Sequence, residues 1–483
     1  MTEHFYRYRP IKAVLDGFRE LENQEIYFSA TNELNDPMEG FKDLFWLGDE
    51  IVWRNLLRHY MLAVLQTAAY CFTAGDRFDR NILAKIVFGV PQSLPEAPIR
   101  EIYTRLSAEL LAEPVAEKFV SLMASRRSPL RRSELTSYLR ALHGFAMQIL
   151  LKEYQERGVL RPHPAAAGQM SREDLTRHAI AMLEGVTKIT SSEVPPERIA
   201  EAIFTASEGA AAQILLVNEY NYAQRTENFP IVFLATRFPL AYVTALEKLV
   251  HRDWYVGCFA KTAESHSMWS TYADGHRGVC LMFKSAAIRA GARTLILEQV
   301  NSVSGGRGSP MIYHKGHVNH EFKEVIYATQ YPSIDFFRSL GAISARDVHE
   351  FWYRGDGGSF SECRSDLYFE PEKWRAHYWQ TFGESVLYKT PEWRHEEEFR
   401  IVLHSLFDLS AKEDRKLKYR FESLAGIVFG ARTDIEDKLK IIRIIDAKCA
   451  AAKRSDFKFY EIRYLATESR FQLFPLDLLQ IKY

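Results

Sequence analysis

Two glutamates spaced by two, Glu396 and Glu398, stand in HEEEFR directly ahead of Phe399-Arg400-Ile401-Val402, which reads as a strand heading into a core. If the segment is extended, both carboxylates lie on one face, because strand side chains alternate. Carboxylates held in such a place can stabilise positive charge where it develops. Near the N-terminus, FYRYR sets Arg7 and Arg9 on one face of a period-two segment. A fixed guanidinium fork is a natural clamp for an anion. Tyr27 and Ser29 of IYFSA follow after a helix-like stretch, and WSTYADGHRG gathers Trp269, Ser270, Tyr272, Asp274 and His276 within eight residues.

Each of these has a plainer reading. A run of like charges usually marks a solvated face, and Arg7 and Arg9 fit a solvated strand edge equally well. WSTYADGHRG also reads as a structural corner, with Asp274-Gly275 as a turn and Gly278 as the entry to a strand. Asn35-Asp36-Pro37 builds a turn, with Asp36 a further ligand candidate. His314, His317 and His320 recur every three residues, but Gly316 disfavours a continuous helix there and no cysteine lies nearby, so no metal is expected. SGGRGSP lacks the Lys-Ser/Thr ending of a phosphate loop, and no G-x-G-x-x-G follows a strand. No G-x-S-x-G elbow supports a serine nucleophile.

The elements that must position these groups begin from globular bulk properties. The chain has 483 residues, 47% hydrophobic and 26% charged, enough for two or three folding units. Lysine plus arginine equals aspartate plus glutamate at 62 each, which removes the argument from a strongly basic chain to a nucleic-acid partner. Five scattered cysteines argue for a reducing compartment and against a thiolate metal site. The charged, aromatic N-terminus does not read as a signal peptide, and none is expected. The most apolar window, 199–217, contains Glu201, Glu208 and Gln213 and reads as a buried helix, so a soluble cytoplasmic protein is expected.

Strands are expected at 5–9 and 26–30 with a helix at 11–21 between them. From Val52 to Tyr222 apolar residues recur at three and four, the signature of a helical bundle. Ser171 with Asp174 resembles a capping box, and Pro195-Pro196 opens the last helix of the block. Beyond it the pattern predicts a strand at 230–235, a helix at 239–250, paired core strands at 253–260 and 278–283, and a flexible loop at 302–310. An irregular aromatic stretch at 348–379, strands at 399–407 and 424–430, and a helix at 434–447 complete the chain. The expected fold is α+β, one domain of 1–50 plus 225–483 interrupted by a helical insertion, 51–224.

Three long segments, RYRP…IYFSATNELNDPMEG, GCFAKTAESHSMWSTYADGHRGVCLMF and WRHEEEFRIVL, in that order resemble an uncharacterised prokaryotic family, the domain-of-unknown-function family 2971. The resemblance covers the two ends and not the helical insert. The layout is also similar, as a pattern, to the ADP-ribosyltransferase superfamily: a first strand with a histidine or arginine, a helix, a strand with an aromatic or serine, and a later strand with a glutamate. That similarity implies a mixed or antiparallel sheet, NAD as substrate without a metal, and transferase (glycosyltransferase) or NAD hydrolase activity. A toxin or an effector of antiviral defence is the corresponding biological role.

It further implies that Glu398 stabilises the ribose cation, while Glu396 positions or activates the acceptor. Arg7 or Arg9 would clamp the pyrophosphate, Tyr27 would stack on nicotinamide, and Ser29 would hold a ribose or amide group. Trp269, Ser270, Tyr272 and His276 would line the pocket. The acceptor would be a protein, a nucleic acid or water, with no membrane partner, and the insert would recognise a target or form homo-oligomers. This reading requires Arg9, Tyr27 and Glu398 to converge in one cleft. A binding or sensing module, with the insert as its interaction surface, requires those residues to lie apart or to pair with each other. Third is a nucleic-acid-processing protein, with Arg126-Arg127 and Arg131-Arg132 meeting a phosphate backbone. A metal nuclease would want a lysine with its carboxylates, and RHEEEF offers only glutamates.

Overall fold

A computed structural model of the chain describes residues 3–160, 171–187, 196–222, 229–287, 292–306, 310–403 and 409–481. It is α+β, and it divides into a sheet unit (1–41, 253–331 and 383–483) and a helical unit (42–252 and 332–382). The helical unit therefore takes in more of the chain than 51–224. Asp43–Trp46 pairs in parallel with Ser333–Asp335 and antiparallel with Leu130–Arg131, a three-stranded ladder that ties 42–50 and 332–382 to the helices.

Seven strands carry the main sheet of the sheet unit: β1 (His4–Arg9), β2 (Tyr255–Ala260), β3 (Val279–Lys284), β4 (Glu398–Leu403), β5 (Leu424–Phe429), β6 (Lys458–Leu465) and β7 (Arg470–Pro475). Their order is β4-β2-β1-β3-β5-β6-β7, antiparallel except for β5 with β6. The expected pairing of 253–260 with 278–283 is corrected, since β1 lies between them. One face buries Phe5, Leu281, Phe399, Ile401, Ile427 and Phe429 beneath a helix, Ile435–Ala452, which contributes Ile441, Ile445 and Cys449. The same core holds Leu295, Leu297 and Leu417 from a second sheet, ordered Ile312–Glu321, Arg293–Ser304, Lys416–Tyr419, Glu25–Tyr27. The segment 26–30 is thus shared: Glu25–Tyr27 joins the second sheet, while Ser29–Ala30 pairs with β2. Between β1 and Glu25–Tyr27 the chain forms only a π-helical turn, Lys12–Asp16, and one turn of α-helix, Glu20–Asn23, because Gly17 and a left-handed Arg19 interrupt the expected helix.

The helical unit is built on Glu50–Ala74 and Arg132–Glu156. Asp49 caps the first, accepting hydrogen bonds from the Ile51 and Val52 amides. Its buried Trp53, Leu56, Leu57, Tyr60, Met61 and Val64 meet Leu135, Tyr138, Leu139, Leu142 and Ile149 in one core. Ser171 accepts from the Asp174 amide at the head of Arg172–Thr187, as the capping pattern predicts.

Several expectations are corrected. Residues 230–235 are helical, because Pro230 and Pro239 open successive turns that run into Phe238–Val250. The stretch 348–379 is largely helical, ending in Pro371–Leu387. The strand expected at 399–407 ends at Leu403, and 404–408 lie outside the described residues, as do 307–309 of the expected loop. Pro196–Tyr222 is not a buried helix: Ala200 and Phe204 are buried, whereas Ile203, Ile214, Leu216, Val217 and Tyr220 face solvent. Its apolar residues run all round the helix, so packing one stripe leaves the rest exposed. By length and composition Arg198–Asn221 could cross a membrane.

Candidate functional site

β1 and β2 touch in register only at Tyr6 and Ala260. Beyond that pair they part, and a cleft enters the main sheet there, lined on the β1 side by Tyr6, Arg7 and Arg9. Ser29, Glu33, Glu39, Cys258, Tyr272, Lys389, Glu396 and Glu398 line the rest of it. The parting explains why Arg7 and Arg9, from the same strand face as the core residue Phe5, share a cavity with Glu398 from the other face.

Three carboxylates and two cations meet at the floor. Lys389 Nζ lies 2.6 Å from Glu396, 3.2 Å from Glu398 and 3.3 Å from Glu39. Arg400 grips Glu398 with two hydrogen bonds of 2.9 Å and donates to Glu39 Oε1 at 2.7 Å. Its remaining amino group donates to the Val386 carbonyl, so the guanidinium is fully enclosed. The Tyr272 hydroxyl donates to Glu396 Oε1 at 2.6 Å.

Burial alone would raise Glu398, but the adjacent Arg400 and Lys389 overcome it and hold the carboxyl at about 2, a permanent anion near neutrality. For Glu39 burial wins over Arg400 and Lys389, and its pKa is raised. Lys389 is also desolvated, yet its three carboxylate partners stabilise its charge and raise its pKa. Two carboxyls on one arginine thus have ionisations pushed in opposite directions, the arrangement that separates acid–base roles.

Local backbone places each group. Glu396 ends a 3-10 turn, Pro391–Glu396, and Glu397 is left-handed (φ 42°). This single turn, rather than an extended segment, brings both Glu396 and Glu398 to the cleft while Glu397 stays exposed. Glu39 follows the Asn35-Asp36-Pro37 turn, in which Asp36 Oδ1 accepts from the Met38 amide and the Asp36 carbonyl from the Glu39 amide. Next to it Gly40 sits at φ 71°, where a Cβ would come within 2.9 Å of Thr31 and Trp254 side-chain atoms.

Of the residues singled out in the sequence, Arg7, Arg9, Ser29, Tyr272, Glu396 and Glu398 line this cleft. Arg7 is committed to structure in part: its two amino groups donate to the Tyr27 and Cys258 carbonyls, while Nε has no partner. Arg9 pairs through Nε and Nη2 with Glu20. Tyr27 is outside the lining, its ring stacked on Phe18 and its hydroxyl donating to Glu33, so the required convergence of Arg9, Tyr27 and Glu398 is met by Arg9 and Glu398 only. Trp269 is buried against Tyr8 and donates to the Ala263 carbonyl. His276 is left-handed, packed beside His266 and Phe471, and with Ser270 stands outside the lining. His314, His317 and His320 lie on the strand Ile312–Glu321. Sequence reasoning missed Glu39, Lys389 and Arg400. Arg400 was signalled by its place inside the apolar run Phe399–Leu403, since an arginine there needs buried partners.

Residues 268–401 match the family model described as Protein of unknown function (DUF2971), which supports the resemblance carried by the motifs WSTYADGHRGVCLMF and WRHEEEFRIVL. The match spans Tyr272, Lys389, Glu396, Glu398 and Arg400, and leaves Arg7, Arg9, Ser29 and Glu39 outside it. Neither a curated protein nor a solved structure matches the chain.

Proposed function

We propose that this cleft cleaves the bond between nicotinamide and ribose in NAD, as an ADP-ribosyltransferase-like enzyme or an NAD hydrolase. The observation that carries the reading is the convergence, in one cleft, of Arg7 and Arg9 with a glutamate fixed as an anion. Departure of nicotinamide leaves positive charge on the ribose, and a preorganised carboxylate stabilises it where it forms. A carboxylate offers about four lone-pair sites. Arg400, Lys389 and the Cys258 thiol already engage Glu398, and a ribose hydroxyl takes the place of the thiol, the weakest donor of the three. Arg9 retains an amino group, Nη1, for a phosphate oxygen. Glu396, held by Tyr272 and Lys389, orients the reacting end.

The reading is tested by nicotinamide release from NAD by purified protein, wild type beside Glu398→Gln, with and without cell extract. Release that falls by about a hundredfold or more in the variant supports it, in line with loss of one preorganised charge. Dependence on extract separates transferase from hydrolase. A non-catalytic binding module has one observation in its favour, namely that Glu398, Glu396 and Glu39 are already paired with Lys389 and Arg400. NAD binding without release under any condition would favour that reading.

A further inference from the structure

Three carboxylates surround Lys389, and they are not equivalent. Both oxygens of Glu398 accept hydrogen bonds from Arg400, and both oxygens of Glu396 are taken, one by Tyr272 and one by Lys389. Glu39 Oε1 accepts from Arg400, but Glu39 Oε2 has no partner at all. It is the one oxygen of the three carboxylates left so, on a residue only 8% exposed that lines the cleft. A buried acceptor without a donor is costly, and a ligand hydroxyl supplies the missing donor.

We infer that Glu39 is the base that takes the proton from the acceptor when the glycosyl group is transferred. The inference rests on the reading of the cleft as an NAD-cleaving site and deepens it. The bond from ribose C1′ to the pyridinium nitrogen breaks, its electron pair stays on that nitrogen, and nicotinamide leaves neutral. The acceptor oxygen, of water or of a hydroxyl, forms the new bond to C1′. Its proton passes to Glu39 Oε2 and from there to solvent, so charge and atoms balance.

The charged and titratable groups around Glu39 are Arg400, Glu398 and Cys258 from the sheet, Lys389 and Glu396 from the segment before β4, and Tyr331 and Asp36. Burial raises Glu39 against the pull of Arg400 and Lys389, which suits a base better than the fixed anion Glu398. The rate must then rise with pH as Glu39 gives up its proton.

The test is the pH profile of nicotinamide release for wild type and Glu39→Gln, with NAD affinity measured by calorimetry on the same samples. The expected result is a fall of about 10²- to 10⁴-fold in rate, loss of the acid limb, and NAD affinity within about threefold of wild type. A Glu39→Gln protein that keeps the wild-type rate, or keeps the acid limb, overturns the role of Glu39 while leaving NAD cleavage standing. If wild type neither binds nor cleaves NAD, the reading of the cleft falls and this inference falls with it. Should the glutamine variant fail to fold, Glu39→Asp decides. Withdrawing the carboxylate by one methylene should slow release about tenfold or more with binding kept, and an unchanged rate overturns the inference.

Discussion

The two units bury polar groups in different ways. In the helical unit the buried carboxylates Glu134 and Glu153 pair with arginines nearer the surface, while two enclosed histidines are neutral and hold two partners each. His59 bonds Tyr242 and the Val87 carbonyl, and His143 bonds Tyr60 and the Leu234 carbonyl. Burial lowers both imidazoles to about 4, so neither carries charge near neutrality. In the sheet unit three enclosed ions, Glu398, Lys389 and Arg400, pack together where the strands part. Desolvating ions costs several kcal/mol each, and an apolar cluster of equal volume would often be as stable. In the helical unit the arginine partner of each buried carboxylate reaches toward solvent, whereas on the cleft floor Lys389 and Arg400 are themselves enclosed, and packing does not account for enclosing both signs of charge.

The comparison is broken most forcefully at Arg400. Arg400→Met leaves Glu398 and Glu39 with Lys389 alone, and about 3–5 kcal/mol should be lost in denaturant unfolding. A loss below about 1 kcal/mol would mean that water reaches the cluster freely. In the helical unit Leu139→Ala, at a fully buried position, should cost about 2–5 kcal/mol through a cavity alone. Nicotinamide release per folded molecule should not change with it, and a specific loss of release would assign chemistry to the helical core.

Acid should weaken both regions by different routes. Glu398 is held at about 2, below its usual 4.5, so its contribution is present above about pH 4.5 and fades as pH falls toward 2. His59 and His143 are lowered from 6.5 to about 4, so stability falls as pH drops below about 6.5, because the unfolded chain takes up protons the folded one refuses. Denaturation midpoints between pH 8 and 3 should show the histidine loss first, and Glu398→Gln should remove only the lower step. The smallest effect is expected at Asp49→Ala, about 1 kcal/mol, since only one helix cap is lost.

Much of this was legible in the sequence where the signal is local. The spacing of Trp53, Leu56, Leu57 and Tyr60 gives a helix, and alternation in FYRYR gives β1. What failed was nonlocal. Pro230–Ala235 is apolar enough for a strand, and only the following helix decides otherwise. β1 separates two strands that look adjacent because their partners are read from opposite ends of the chain. At the site, Glu396 and Glu398 stood out by their spacing, although a left-handed Glu397 and not an extended segment aims them. Glu39 and Lys389 carry no local mark. Glu39 meets Arg400 across more than three hundred residues, and Lys389 meets Glu39, Glu396 and Glu398.

If the cleft cleaves NAD as proposed, the ionic floor serves that chemistry more than stability. That role is tested most directly by a charge-balanced double substitution, Lys389→Met with Glu396→Gln, measured together for melting temperature and for nicotinamide release from NAD. A melting temperature kept or raised and release lower by about a hundredfold or more are expected. Full release from the double variant, at whatever melting temperature, would contradict that role.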